Sequence, residues 1–147
     1  MNAALGVFKY SREYQSREID MKQDLEANKQ NAIAFYRTAY LGEPTKAVEK
    51  YVGSEYIQHN PAVGDGKQAF IDYFNEMDRD YPGKSIDFVR AVAENDLVAL
   101  HTRQIWPGNE EYVTMDFFRF DENGKIVEHW DSIQKIPIES KNGNPMY

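Results

Sequence analysis

The chain contains no cysteine, which excludes disulfides, thiolate nucleophiles and cysteine-ligated zinc. No apolar run approaches the ~20 residues of a membrane helix. The first twenty residues, MNAALGVFKYSREYQSREID, have neither a basic start nor a long apolar stretch, so we expect no signal peptide and a cytoplasmic location. Cations are scarce: 17 Lys and Arg stand against 24 Asp and Glu, for a net charge of −7 with no basic cluster. Nucleic acid and anionic membranes, which need clustered Lys and Arg, are poor partners for such a chain. Histidine occurs only as His59, His101 and His129, never in H-x-H or H-x-x-x-H spacing. A metal site would therefore depend entirely on the fold.

Aromatic residues are abundant, with ten Tyr, eight Phe and two Trp among 147 residues. Rings in this number suit a core or cavity built from large apolar area with polar handles. The length suits one domain.

Periodicity divides the chain. Residues 1–23 are polar and weakly patterned and read as an N-terminal extension. A 3.6-residue period from Asp24 to Leu41 places Ala32, Phe35 and Ala39, and Ile33, Tyr36 and Tyr40, on helical stripes, with Gly42 as the stop. Pro44 opens a second helix carrying Ala47, Val48, Tyr51 and Val52. YIQHNP is a short extended segment ended by Pro61, and a third helix buries Ala69, Phe70, Tyr73, Phe74 and Met77. The period then changes to 2. SIDFVRAVA, LVALHTRQIW, EYVTMDFFRF and IVEHWDSIQKI read as four strands separated by END, PGN and DENGK, all turn chemistry. Residues 138–147 read as a loose tail. Helices followed by consecutive hairpin strands predict an α+β domain over 24–137, an antiparallel sheet with three helices on one face.

The turns predict a register. A two-residue turn at Asn123-Gly124 pairs Phe120 with Val127, Phe118 with His129 and Asp116 with Asp131. Two-residue turns at Gly108-Asn109 and Asn95-Asp96 place His101 opposite Asp116 and Arg90 opposite His101. The result is a row of Arg90, His101, Asp116 and Asp131 on a face that also carries Phe88, Val92, Ala99, Ile105, Tyr112, Phe118, Phe120 and Ile133. The other face, with Leu100, Trp106, Met115, Phe117 and Trp130, is also apolar and needs cover, which predicts a homodimer through the Trp130 side.

YIQHNPAVGDGKQAFIDYF, HTR and MDFFRFDENGKIVEHWDSIQ, taken in order, resemble the SnoaL-like polyketide cyclase family of the NTF2-like superfamily, in particular its branch predicted to catalyse aldol-type condensations. The resemblance implies an NTF2-like, cystatin-like cone: a curved sheet closed by helices around a pocket. It also implies small-molecule ligands and no cofactor or metal. By the same resemblance Asp116 matches the family's general acid/base, His101 the histidine beside it, and His59 the histidine at the pocket mouth.

Removing a proton next to a carbonyl needs a tuned base and a donor for the enolate oxygen. Asp116 with His101 would supply the acid/base. His59, Asn60, Arg90, His129, Asp131 and Phe118 would bind substrate, an apolar or polyketide-like carbonyl compound undergoing aldol, cyclase or isomerase chemistry. Three alternatives stay open from the residues alone. Asp116 could be a structural ion pair with Arg90 or Arg103. The domain could be a non-catalytic, ligand-binding dimeric module. The three histidines with Asp116 could hold a metal.

Overall fold

The computed structural model describes residues 24–108 and 110–147; the N-terminal extension lies outside them. Helix α1 covers 24–40, and its three- and four-residue spacing buries Ala32, Phe35, Tyr36, Ala39 and Tyr40. Gly42, at φ +80, closes it in the left-handed conformation that glycine adopts freely. Pro44 begins α2 (Pro44–Tyr51), where a missing N–H leaves no helical bond unmade. β1 (Val52–Gln58) follows, then α3 (Gly66–Asp80), which buries Phe70, Phe74 and Met77. The remaining strands are β2 (Ser85–Glu94), β3 (Leu97–Ile105), β4 (Glu111–Phe120) and β5 (Ile126–Lys135), within a residue of the sequence expectation. No described helix is long and apolar enough to cross a membrane.

The sheet order is β1-β5-β4-β3-β2. The three hairpin pairings are antiparallel, as expected. The segment expected as an isolated extended piece is instead β1, which pairs parallel to β5. The sheet is therefore mixed. The β4–β5 hairpin would otherwise leave β5 as an unpaired edge, and β1 covers it. Irregularities between Val52 and Ile57, Phe88 and Arg90, and Arg119 and Phe120 interrupt three of the four pairings. Each such bulge bends its strand and adds twist, which curves the sheet.

The concave face meets α1 and α3 in an aromatic core. The Phe35 and Phe70 rings stack with centroids 4.8 Å apart, and Phe118 meets Phe35 edge-on at 6.0 Å. Each of these three fully buried rings contributes roughly 1.5–3 kcal/mol of apolar burial. β3 sends Val98, Leu100, Thr102 and Gln104 inward, and β4 sends Thr114, Asp116, Phe118 and Phe120. Val92 and Met115 face outward and are exposed. Trp106, expected on the outer face, packs instead against the core. The tail, expected to be loose, returns to the outer face, where His101 Nε2 lies 3.0 Å from the Met146 carbonyl and Arg103 stacks over Tyr147.

Candidate active site

Register decides which polar residues meet. The Asn95-Asp96 connection is two residues long, as expected: Glu94 pairs with Leu97 and Arg90 with His101. The Asn123-Gly124 turn is wider than expected. Phe120 pairs with Ile126 rather than Val127, because the Asp121 side chain accepts the N–H groups of Asn123 and Lys125, both at 2.9 Å, and shapes a longer loop. A bulge then restores the expected pairs, Phe118 with His129 and Asp116 with Asp131.

The β3–β4 connection overturns the rest of the row. Asp116 pairs with Leu100, and His101 pairs with Met115. A two-residue turn at Gly108-Asn109 would make Pro107 and Glu110 a hydrogen-bonded pair, and proline has no N–H to give. The ladder closes one residue earlier, with Trp106 N–H donating to the Glu110 carbonyl at 3.4 Å. A one-residue slip sends a side chain to the opposite face. His101 and Arg90 are therefore not beside Asp116. They pair with each other on the outer face, where Arg90 Nη1 lies 2.8 Å from His101 Nδ1.

Asp116 is fully buried and surrounded by donors. The Tyr36 hydroxyl, from α1, donates to Oδ1 at 2.6 Å. His129 Nε2 lies 3.1 Å from the same oxygen, and the Thr114 hydroxyl donates to Oδ2. Thr102 stands behind Thr114 at 2.6 Å between hydroxyl oxygens. Since Thr114 spends its proton on Asp116, Thr102 is the donor of that second bond. Burial first, and then the Asp116 charge, hold the Tyr36 hydroxyl well above the ordinary phenol range, so it remains a donor.

His129 reveals its own protons. Gln58 Oε1 accepts the backbone N–H groups of His59 and Asn60, each at 3.0 Å. The same oxygen lies 2.9 Å from His129 Nδ1, so Nδ1 carries a proton. The other ring nitrogen faces the Asp116 carboxylate. Nε2 also lies 3.2 Å from the Tyr36 hydroxyl, and with the ring protonated it forms a buried imidazolium–carboxylate pair with Asp116. The Phe118 ring stacks on His129 at 4.6 Å and backs it.

Beside this cluster is a cavity lined by Tyr36, Tyr40, Asn60, Tyr73, Gln104, Trp106, His129 and Asp131, among others. Its volume is about 30 Å³, room for a few atoms, whereas small-molecule pockets start at about 300 Å³. Ile133, 45% exposed, and the half-buried Val63 mark its outer end. Lining residues include no Lys or Arg. Asp131 is the carboxylate on its wall. It accepts a bond from Asn60 Nδ2 at 2.7 Å, and burial raises its pKa above 3.8 against the opposing pull of His129 and the Asn60 bond. Burial also pushes the Tyr73 hydroxyl up to about 12, with Asp131 adding to the shift. The buried Trp106 N–H is directed at the Tyr40 hydroxyl.

Of the residues expected to bind substrate, Asn60, His129 and Asp131 line this cavity, and Phe118 lies behind His129. His59 does not. It stacks on Trp130 at 4.9 Å and lies 2.8 Å from Glu128, on the outer side. Within HNP the inward residue is Asn60. Arg90 is outside as well, and neither Arg90 nor Arg103 pairs with Asp116: Arg103 binds Glu111 at 2.6 Å. Tyr36, Gln58, Thr114, Gln104 and Trp106 escaped the sequence reading. One signal was present: a Tyr on a buried helical stripe must find its hydroxyl a partner.

The three histidines do not converge. Asp116, His129 and Asp131 do, with one ligand-type atom of each within 4.8 Å of the others. Both Asp116 oxygens and His129 Nε2 are engaged with one another, Tyr36 and Thr114.

Residues 32–129 match the SnoaL-like domain family. No curated protein matches the sequence. Among solved structures, the fold is similar to TsrD from Streptomyces laurentii, at 20% identity and TM-score 0.63, covering 74% of this chain and 89% of that one. It is similar to a protein from Bacillus cereus ATCC 10987 assigned as a polyketide cyclase, at 14% identity and TM-score 0.65, covering 74% of each chain. It is also similar to AclR from Streptomyces galilaeus, assigned as a hydroxylase, at 16% identity and TM-score 0.63, covering 75% and 90%.

Proposed function

The chain belongs to the SnoaL-like domain family, and on that footing we propose that it is an enzyme acting by acid–base chemistry, without a cofactor, on a compact neutral carbonyl compound, in an isomerase- or cyclase-type reaction. The observation that carries this is Asp131: a half-buried carboxylate with a raised pKa on the wall of an aromatic cavity, across the ladder from the Asp116–His129 pair. The sequence reading gave the base role to Asp116. Its oxygens are fully capped, so we assign proton abstraction to Asp131 instead. Asp131 takes a proton from the carbon next to the carbonyl, and the C–H electron pair moves to form the enolate. Burial raises the Asp131 pKa, His129 and the Asn60 bond oppose that rise, and the Asp116 charge adds to it. The lining residues include no Lys or Arg, which favours a neutral substrate over a carboxylate.

Incubation with acetone, the smallest ketone, in D2O tests this. We expect saturable exchange of its α-hydrogens for deuterium, followed by NMR. A rate equal to that of buffer would refute it for ketones of this size. The tightness of the cavity favours one second reading, a ligand-binding module without turnover, which would show saturable binding and no exchange.

We also infer a homodimer through the outer face of the sheet, where Val92 is 64%, Met115 49% and Phe117 45% exposed.

A further inference from the structure

We propose that the carboxamide oxygen of Gln104 accepts a hydrogen bond from a hydroxyl group of the substrate, which makes the compact neutral carbonyl compound a hydroxy ketone or hydroxy aldehyde. The inference rests on the acid–base reading for the carbonyl, whereas the hydroxyl is assigned from Gln104 alone. Gln104 is 5% exposed, points inward from β3 and lines the same cavity as Asp131. Which end of its amide faces which way is set by the protons around it. Its nitrogen lies 3.5 Å from the Thr102 hydroxyl and 3.4 Å from that of Thr114. Thr114 gives its proton to Asp116, and Thr102 gives its own to Thr114. Neither hydroxyl has a proton left for a carbonyl, and both oxygens still accept. The NH2 end therefore belongs on the threonines, and the carboxamide oxygen on the side away from them.

That oxygen accepts no hydrogen bond from a described residue; the bonds of Gln104 are made at its nitrogen. Nor is it among the described side-chain atoms that are sealed from solvent, so it keeps open surface, and the space that Gln104 borders is the cavity. An amide oxygen only accepts, so its complement is a donor. A hydroxyl is the neutral donor that adds a single heavy atom to a molecule confined to about 30 Å³. Asp131 accepts too, but in the acid–base reading it faces the carbon that loses its proton, and Gln104 gives the hydroxyl a place of its own. The threonine bonds fix the amide before any ligand arrives, so the acceptor is preorganised.

Hydroxyacetone and butanone form a matched pair of probes, equal in heavy atoms, with a hydroxyl in one where the other has a methyl. Both are titrated into the parent and into Gln104→Met, which keeps an unbranched side chain but loses the acceptor. The substitution should weaken hydroxyacetone binding about 3–10-fold, the size of one hydrogen bond, and leave butanone binding within about two-fold. A second readout needs no variant. In the parent, the carboxamide ¹³C signal of Gln104, assigned through its bonds to the backbone, should move downfield saturably with hydroxyacetone and stay in place with butanone. A stationary carboxamide signal, equal weakening of both ketones, or unweakened hydroxyacetone binding by the variant overturns the proposal; the last result would give the hydroxyl to Asp131. Gln104-dependent binding of hydroxyacetone without α-hydrogen exchange of acetone upholds the hydroxyl site and defeats the enzyme reading. Exchange of acetone with hydroxyacetone binding that ignores Gln104 does the reverse.

Discussion

Asp116 and Asp131 stand directly opposite each other in the β4–β5 ladder, yet their surroundings differ. Asp116 is sealed under Tyr36, His129 and Thr114. Asp131 keeps one bond, from Asn60, and lines the cavity. Two carboxylates side by side can take separate roles when their environments separate them, one as a fixed charge and one as a working base.

Replacing Asp116 should damage the fold more than its size suggests. In Asp116→Asn the Thr114 hydroxyl can turn its proton to Thr102 and accept from the amide, but the carboxylate is gone and His129 loses its charged partner. Breaking a buried pair in this way costs roughly 3 kcal/mol. Urea unfolding should show a loss of that order. A variant as stable as the parent would mean that the pair is not formed.

Asp131 should leave a signature in stability against pH. Its native pKa lies above 3.8 because of burial, so the native state holds the proton more tightly than the unfolded chain. As pH rises from the unfolded value through the raised native one, the unfolded chain releases the proton first and stability falls. Above that window the penalty is constant. Asp131→Asn removes it while keeping an oxygen for Asn60. At pH 7 the variant should melt about 1–3 °C higher than the parent, with the gap closing below pH ~3.8. A gap that is independent of pH, or of opposite sign, contradicts the burial of an ionised Asp131.

The outer sheet face gives a third expectation. Phe117 is exposed at its centre beside Met115. Sedimentation should find a dimer at micromolar concentration, and Phe117→Glu should convert it to monomer without loss of fold. A monomeric parent would leave the face to some other use.

Much of the architecture was legible. Period 3.6 followed by period 2 marked the helices and four strands, and the Asn95-Asp96 turn gave the Arg90–His101 pair correctly. The Asp116–Asp131 pair came out right although the turn that predicted it did not form, because a bulge compensated for a longer loop. His101 was lost to a single residue of slip at Pro107, and the missing N–H that causes the slip is visible in the sequence. β1 was harder: parallel pairing between Val52–Gln58 and a strand some seventy residues away carries no local turn signal. Tyr36 needed the fold, since hydrogen-bond partners brought together from α1, β4 and β5 have no spacing to read.

The most direct test compares α-hydrogen exchange of acetone in D2O by the parent and by Asp131→Asn, with acetone binding measured on both by NMR titration. Asp131 as the base predicts unchanged binding within a few-fold and exchange slower by at least ~100-fold, the usual contribution of a general base. Exchange at the parent rate in a variant that binds normally would contradict it.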